Sequence, residues 1–146
     1  MKKIGSVAEF GHKRDSELLK AFRRAVVESE TTDTDEFYRL AAASPSTRFW
    51  VSERRASEVI GQMLKGRSIE KMTPMRQKMY RELYRRALLY IEEHPGCTIY
   101  DAAFAAVNTP APEFYLTPLS CRVILSRARR RSRPAPSARP GSPAGR

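Results

Sequence analysis

Two segments of the chain match each other at a constant offset of 65 residues, and this repetition constrains the fold more than any other sequence feature. Residues 44–52 align with residues 109–117, and both follow the order hydroxyl, proline, aromatic pair, aliphatic, hydroxyl. The preceding segments match at an offset of 62, where residues 22–27 correspond to residues 84–89. The sequence therefore predicts two copies of one helical unit, joined near residues 66–73.

Apolar residues recur with helical spacing between capping and breaking signals, which predicts an all-α fold of six helices. Ser52, Thr73-Pro74, Thr98 and Thr117-Pro118 are typical helix starts, and Asp33 followed by Glu36 predicts a capping box. The predicted helices are helix 1, Lys13 to Glu30; helix 2, Thr34 to about Ala43; helix 3, after Ser52 and before Gly66; helix 4, Pro74 to about Glu93; helix 5, after Thr98 and before Asn108; and helix 6, Pro118 to Arg131.

The expected architecture is two tandem three-helix, helix-turn-helix-like repeats that pack together. Each repeat has roughly 50–60 residues and is marginal alone, so the two need a shared core. Trp50 and its counterpart Tyr115 are expected to fill that core. The expected divisions are a flexible N-terminus at 1–12, repeat 1 at 13–66, repeat 2 at 73–131, and a disordered Pro/Arg-rich tail at 132–146.

Positive charge is concentrated at the C-terminal end of the chain. Lys and Arg number 27 against 16 Asp and Glu in 146 residues, a formal net charge of +11. Seven arginines and no acid lie between Arg127 and Arg146, which leaves 20 basic and 16 acidic residues, or +4, for residues 1–126. This distribution favours a polyanionic partner, above all nucleic acid.

The helix-turn-helix layout predicts that the last helix of each repeat contacts duplex DNA in preference to RNA. Helix 6 is the stronger candidate because nothing acidic follows Glu113, whereas helix 3 carries Glu53 and Glu58. Arginine can bind guanine with two hydrogen bonds, and serine suits phosphates or base edges. The candidate residues are Ser120, Arg122, Ser126, Arg127, Arg129, Arg130 and Arg131 of helix 6, with Arg54 and Arg55 of helix 3.

Two other functions stay open at this point. One is a protein-interaction or structural module, with a protein partner or a homodimer, whose tail only tunes solubility. The other is RNA binding through the arginine tail. No nucleophile motif, phosphate-binding glycine loop or paired metal-ligand spacing occurs, so neither an enzyme nor a cofactor or metal is expected. Two cysteines and no long apolar run favour a reducing cytoplasm without membrane insertion.

The body of the chain, residues 1–131, resembles small helical proteins of gut Bacteroidetes and of their mobile elements and phages. The resemblance rests on residues 46–53, Ser-Thr-Arg-Phe-Trp-Val-Ser-Glu, and residues 114–118, Phe-Tyr-Leu-Thr-Pro. These proteins have no assigned activity, so the resemblance carries no function and no site residue over to this chain. The expected role is a regulator or accessory factor of a mobile element or phage.

Overall fold

The structure is a computed structural model that describes residues 2–132, with side chains described for residues 10–130. This part of the chain is all-α, with no strand and a single isolated β-bridge between Ser46 and Ala111. The all-α class and the number of helices are thus confirmed. The helices are α1 (Lys2–Glu28), α2 (Thr34–Ala42), α3 (Glu53–Leu64), α4 (Pro74–Glu93), α5 (Ile99–Val107) and α6 (Pro118–Ser132). The predicted tail lies outside the described residues from residue 133 onwards.

Five of the helices begin at the capping residues that the sequence indicates. The side chains of Asp33, Ser52, Thr73, Thr98 and Thr117 each accept a hydrogen bond from a backbone N–H two or three residues further on. These N–H groups have no partner inside the helix, so a side-chain cap stabilises the helix by about 1 kcal/mol. Local side-chain chemistry therefore sets these starts.

Helix α1 begins at Lys2, not at Lys13, so residues 2–12 are helical where a flexible N-terminus was expected. A tertiary contact lies at the end of this extension. The Phe10 ring lies 5.7 Å from the Trp50 ring, and the Arg48 guanidinium lies 5.2 Å from the Phe10 ring centre. Ile4, Val7 and Ala8 recur at helical spacing, so the sequence does carry a local signal for this extension, which the expected flexible N-terminus overlooks.

The capping box occurs at a different helix from the one expected. Asp33 caps α2 through the Asp35 backbone N–H, but the Glu36 carboxylate accepts a hydrogen bond of 2.8 Å from Arg39 Nε. Because Arg39 engages that carboxylate, Glu36 does not reach back to the cap. A reciprocal box forms instead at α5, where Thr98 and Asp101 each accept the other's backbone N–H at 3.0–3.1 Å.

The six helices pack as two three-helix bundles that exchange their third members. Helices α1, α2 and α6 pack together, and helices α3, α4 and α5 pack together. This grouping differs from the predicted units at 13–66 and 73–131, which each hold three consecutive helices. The reason is the path of the segment after α2, which crosses to the other bundle: the Phe49 N–H donates to Val107 O at the end of α5 at 3.0 Å.

Hydrogen bonds between the halves follow the offset of 65 found in the sequence. Ser46 and Ala111, which differ by 65, donate to each other's carbonyl oxygens at 2.9 Å. A second pair of hydrogen bonds has the same relation. Phe49 N–H donates to Val107 O at 3.0 Å, and the residues 65 positions away, Phe114 and Ala42, form the matching bond from Phe114 N–H to Ala42 O, also at 3.0 Å. Such reciprocity is the property of a contact between surfaces related by a two-fold axis.

Each bundle has its own hydrophobic core, and the two aromatic linkers cross between them. Trp50, which directly precedes α3, packs into the α1–α2–α6 core, whereas Tyr115, which precedes α6, packs into the α3–α4–α5 core. Trp50 is half-buried and its indole N–H donates to Ser46 Oγ at 2.6 Å. Tyr115 is buried, and burial raises the pKa of its hydroxyl to about 12. The two bundles are therefore interlocked by these side chains.

Candidate nucleic-acid interface

Helix α6 has one buried stripe and one exposed face. Cys121, Leu125 and Ala128 recur at helical spacing and are buried in the α1–α2–α6 bundle, with Ile124 half-buried beside them. Burial raises the pKa of the Cys121 thiol to about 11, so this side chain is uncharged at neutral pH. The stripe fixes the rotation of α6, and residues between its members must point outward.

The outward face of α6 carries three exposed arginines around a serine. Arg122, Arg127 and Arg130 are exposed, Ser126 is half-buried between them, and with Val123 they line one shallow surface cleft. The Arg130 guanidinium donates to Ser126 Oγ at 3.2 Å. Among the described side chains, no carboxylate lies within 4.0 Å of any of these guanidinium groups. Their positive charge is therefore available to an anionic ligand. We call Arg122, Ser126, Arg127 and Arg130 the α6 face.

The start of α6 lies in a mixed electrostatic environment. Arg122 and Leu119 line a second cleft together with the start of α2, which contributes three carboxylates and one cation, those of Asp33, Asp35, Glu36 and Arg39. These carboxylates lower the positive potential near Arg122, because unlike charges offset each other at short range. Arg127 and Arg130 lie one and two turns further along, away from that acidic turn. The C-terminal half of the α6 face is therefore the better position for a phosphate.

Other predicted residues of α6 occupy different positions. Arg129 points to α1, where its guanidinium lies 5.5 Å from the centre of the Phe22 ring, a cation–π contact. The exposed Ser120 hydroxyl lies 3.1 Å from Thr117 Oγ1 at the helix start. The backbone of Arg131 belongs to α6, and its side chain lies outside the described part of the structure.

Arg54 and Arg55 do not join the α6 face. They lie on α3, in the other bundle, and each guanidinium has an atom 3.5 Å from the Glu58 carboxylate. One carboxylate thus offsets part of the charge of both arginines. The predicted site is therefore divided between two bundles, and its α6 arginines as far as Arg130 form no ion pair with a described side chain.

The contiguous helix-turn-helix layout also differs from the observed packing. That motif requires α2 to pack on α3 and α5 to pack on α6. Instead, α2 packs on α6 and α5 packs on α3. The long linkers at 43–52 and 108–117 carry the chain across to the other bundle, which a turn of three or four residues would prevent.

The exchange of helices concentrates positive charge on one bundle. The helices of the α1–α2–α6 bundle contain thirteen basic and six acidic residues, a net charge of +7, whereas those of the α3–α4–α5 bundle contain seven and six, or +1. Lys20, Arg23 and Arg24 of α1 contribute exposed cations that the sequence analysis did not select. Their signal in the sequence is a stretch without acids, residues 18–27.

Comparisons with protein-family models, with curated proteins and with solved structures gave no match for this chain. Within residues 2–132, no helix combines the length and apolar character needed to cross a membrane. Over the described residues, histidine, cysteine and acidic side chains form no group of three or more that would hold a metal ion.

Proposed function

We propose that the protein binds nucleic acid, with duplex DNA as the preferred ligand, through the α6 face. The observation that carries this proposal is the composition of α6, which has five arginines and no acid. The guanidinium groups of Arg122, Arg127 and Arg130 all lie more than 4.0 Å from any described carboxylate. Such a surface attracts phosphates and releases their counterions on binding. A regulator or accessory factor of a mobile element is the role we propose for it.

The shape of the surface favours duplex DNA over RNA. The major groove of B-DNA admits an α-helix, whereas the major groove of A-form RNA is too deep and narrow for side chains to reach the bases. On the α6 face, Arg127 and Arg130 are one helical turn apart and suit guanine or phosphate contacts. Lys20 and Arg23 of α1 belong to the same bundle and would add contacts to the DNA backbone.

Arg129 supports the proposed site as a positioning residue. Its guanidinium is held against the Phe22 ring, which itself stacks on Tyr38 at 5.1 Å. This chain of contacts ties the last turns of α6 to α1 and α2. A helix held on two sides presents its arginines in one orientation, which lowers the entropic cost of binding.

We also propose that the two halves of the chain are copies of one three-helix unit whose third helices are exchanged. The matching segments at offset 65 and the reciprocal hydrogen bonds of Ser46 with Ala111 support this arrangement. After duplication the copies differ most in charge: Arg122, Arg127 and Arg129 stand where the first copy has the uncharged residues Ser57, Gln62 and Leu64. Nucleic-acid binding is accordingly proposed for the α1–α2–α6 bundle alone.

Replacing Arg127 and Arg130 by alanine is expected to weaken duplex binding by about 30-fold or more, because specific contacts are each worth about 1–3 kcal/mol and two of them together at least about 2 kcal/mol. The slope of log K against log salt should fall by about 0.9 for each phosphate that the variant no longer binds. Fluorescence anisotropy with labelled duplex, single-stranded DNA and RNA of equal length measures both quantities. Both residues are exposed, so the melting temperature should stay unchanged.

Arg54→Ala with Arg55→Ala is the matched control, since it removes the same charge from two exposed positions of α3. We expect it to change duplex affinity less than about threefold, which corresponds to about 0.6 kcal/mol. Equal losses in the two double variants would reduce the proposal to non-specific attraction by net charge. Tighter binding of RNA than of duplex DNA would overturn the DNA preference.

Deleting residues 133–146 is expected to lower affinity similarly for every DNA sequence. The deleted segment carries three arginines, Arg133, Arg139 and Arg146, among prolines and small residues, which suits loose phosphate contacts. The salt slope should shrink by up to about 2.7, and the ranking of sequences should persist. If the truncated protein no longer distinguishes between DNA sequences, or if it loses only its affinity for RNA, recognition would belong to the tail.

A protein-interaction module is the second candidate function. The observation that favours it is a set of exposed apolar side chains on α5, among them Tyr100 and Phe104. These side chains lie on the α3–α4–α5 bundle, away from the α6 face. The two functions are therefore compatible on one chain.

A further inference from the structure

Helices α1 and α4 correspond to each other at the offset of 62 and bury equivalent positions. Leu18 of α1 corresponds to Tyr80 of α4, and both side chains are buried. Each helix then carries a pair of arginines at the same distance along the chain, residues 23–24 in α1 and residues 85–86 in α4. Equal spacing from a buried residue gives the two pairs the same position on the helix surface.

In α4 the chain itself neutralises the arginine pair. The Glu82 carboxylate lies 2.6 Å from the Arg85 guanidinium and 2.7 Å from that of Arg86. The hydrogen bond from Arg85 is the largest cause of the lowered pKa of Glu82. Arg86 also donates to Thr109 Oγ1 at 2.9 Å and to Pro110 O at 2.7 Å. Both guanidinium groups therefore have partners within the chain.

In α1 a lysine takes the place of that carboxylate. Lys20 corresponds to Glu82 at the same offset, so the position that neutralises the pair in α4 adds a third cation in α1. Lys20, Arg23 and Arg24 are all exposed. Among the described side chains, none of the three cations has a carboxylate within 4.0 Å. We call Lys20, Arg23 and Arg24 the α1 triad, and its charge is available to an anion outside the chain.

The acids that flank the α1 triad in the sequence do not neutralise it. Glu17 precedes Lys20 by three residues, and its carboxylate accepts the Thr47 backbone N–H at 3.0 Å. Glu28 follows Arg24 by four residues, but the two side chains lie more than 4.0 Å apart. Like charges at i and i+4, such as Lys20 and Arg24, destabilise a helix. An anion bound across the triad would relieve this repulsion.

We propose that the α1 triad is a second phosphate-binding site, which holds the nucleic-acid backbone and supplies affinity without distinguishing sequences. This inference rests on the proposed function for the identity of the ligand. Lysine and arginine contacts to phosphates position a protein on a duplex and carry no sequence information directly. The triad lies beside α6, because Arg23 directly follows Phe22, whose ring centre is 5.5 Å from the Arg129 guanidinium. A duplex on the α6 face would therefore have its backbone near the triad.

The packing of α1 favours nucleic acid over an anionic membrane surface. A helix that lies on a membrane inserts a broad apolar face as well as presenting cations to the headgroups. The apolar side of α1 is instead buried against α2 and α6. Of the large apolar side chains described in α1, only Val26 and Val27 are exposed. The triad thus offers charge without the apolar surface that insertion requires.

Lys20→Glu tests the triad, because it gives α1 the residue that α4 has at the equivalent position. The new carboxylate would precede the two arginines by three and four residues, the orientation in which opposite charges stabilise a helix. The melting temperature should therefore stay equal or rise. Affinity for every duplex should fall at least about tenfold at about 0.15 M salt, and the slope of log K against log salt should shrink by up to about 2.7, or about 0.9 for each of three phosphates. Fluorescence anisotropy of labelled duplexes with the full chain measures both.

Lys71→Glu is the matched control, since it reverses an exposed lysine between α3 and α4 and changes the net charge by the same amount. It should change duplex affinity less than about threefold. The inference fails if Lys20→Glu binds duplex as tightly as this control, or if it abolishes the ranking of DNA sequences. It also fails if the wild type prefers vesicles of phosphatidylserine and phosphatidylcholine to duplex DNA.

The double variant Arg127→Ala with Arg130→Ala separates this inference from the proposed function. If that variant keeps both affinity and ranking while Lys20→Glu lowers affinity, the α6 face is not the recognition site and the triad still binds phosphate. If the double variant loses affinity and ranking while Lys20→Glu behaves like the Lys71→Glu control, the α6 face stands and the triad is only a solvated surface.

Discussion

A chain cut once between Arg67 and Ser68 should remain one folded particle, while neither fragment should fold alone. Both residues are exposed in the connection between α3 and α4, so the cut itself removes no buried contact. Because α3 packs on α4 and α5, and α6 packs on α1 and α2, each fragment holds two helices of one bundle and one of the other. A fragment alone therefore has no complete core. A protease site inserted at this position, followed by size-exclusion chromatography, tests the first part.

Expressing the two fragments separately tests the second part. Circular dichroism of each fragment should lack a cooperative thermal transition, and mixing equimolar fragments should restore both the helix content and the transition. We expect each fragment alone to be essentially unfolded and the mixture to be fully folded. A unit of this size is only marginally stable even with a complete core, and each fragment lacks one. Cooperative unfolding of the N-terminal fragment by itself would show that the consecutive helices α1, α2 and α3 can form their own bundle.

Phe49→Ala is expected to have the largest effect on stability of any single substitution in the linkers. Phe49 is fully buried at the crossing point of the two halves. Its ring stacks on Tyr115 at 5.8 Å, and the Arg86 guanidinium lies 4.9 Å from its centre on the α4 side. Truncation of a buried phenylalanine costs about 3–5 kcal/mol, a large share of the roughly 5–15 kcal/mol that stabilises a small domain. Urea denaturation followed by circular dichroism gives the change in free energy of unfolding.

Phe104→Ala is the control for Phe49→Ala, since it removes the same side chain from an exposed position. Measured at a concentration below that of any self-association, it should change the free energy of unfolding by less than about 1 kcal/mol. A small effect of Phe49→Ala, comparable to that of the control, would mean that the linker does not hold the two halves together.

The helices could be predicted because their signals are local. A hydroxyl or carboxylate cap followed by an apolar period of 3.6 acts within one or two turns, and Ser52, Thr73 and Thr98 all behave as the pattern indicates. The early start of α1 also has a local signal, the helical spacing of Ile4, Val7 and Ala8, which the expectation of a flexible N-terminus overlooks. Glu36 is not a box partner because Arg39, three residues further on, competes for its carboxylate, and the box motif considers only the cap and not this i, i+3 pair.

Which helices pack against each other could not be predicted from local signals of this kind. Repeated segments indicate that two units are similar, but consecutive and exchanged packing bury the same residue types. The choice depends on linker path and on pairings such as Phe49 with Val107, which are far apart in the chain. For the site, helical spacing correctly indicated that Arg122 and Arg127 lie off the buried stripe. Glu58 offsets part of the charge of Arg54 and Arg55 through i, i+4 and i, i+3 pairs, and such pairs are visible in the sequence alone.

The exchange of third helices also has a consequence for the order of events during synthesis. Helices α1 and α2 are synthesised early, but their bundle lacks its third helix until α6 has been made. Helix α6 begins 76 residues after the end of α2. At bacterial or eukaryotic elongation rates this interval is about 4–15 s. Through that time the apolar sides of Leu18, Phe22 and Tyr38 face solvent or a chaperone. The basic helix proposed to bind DNA is thus also the last part needed to close the hydrophobic core of its own bundle.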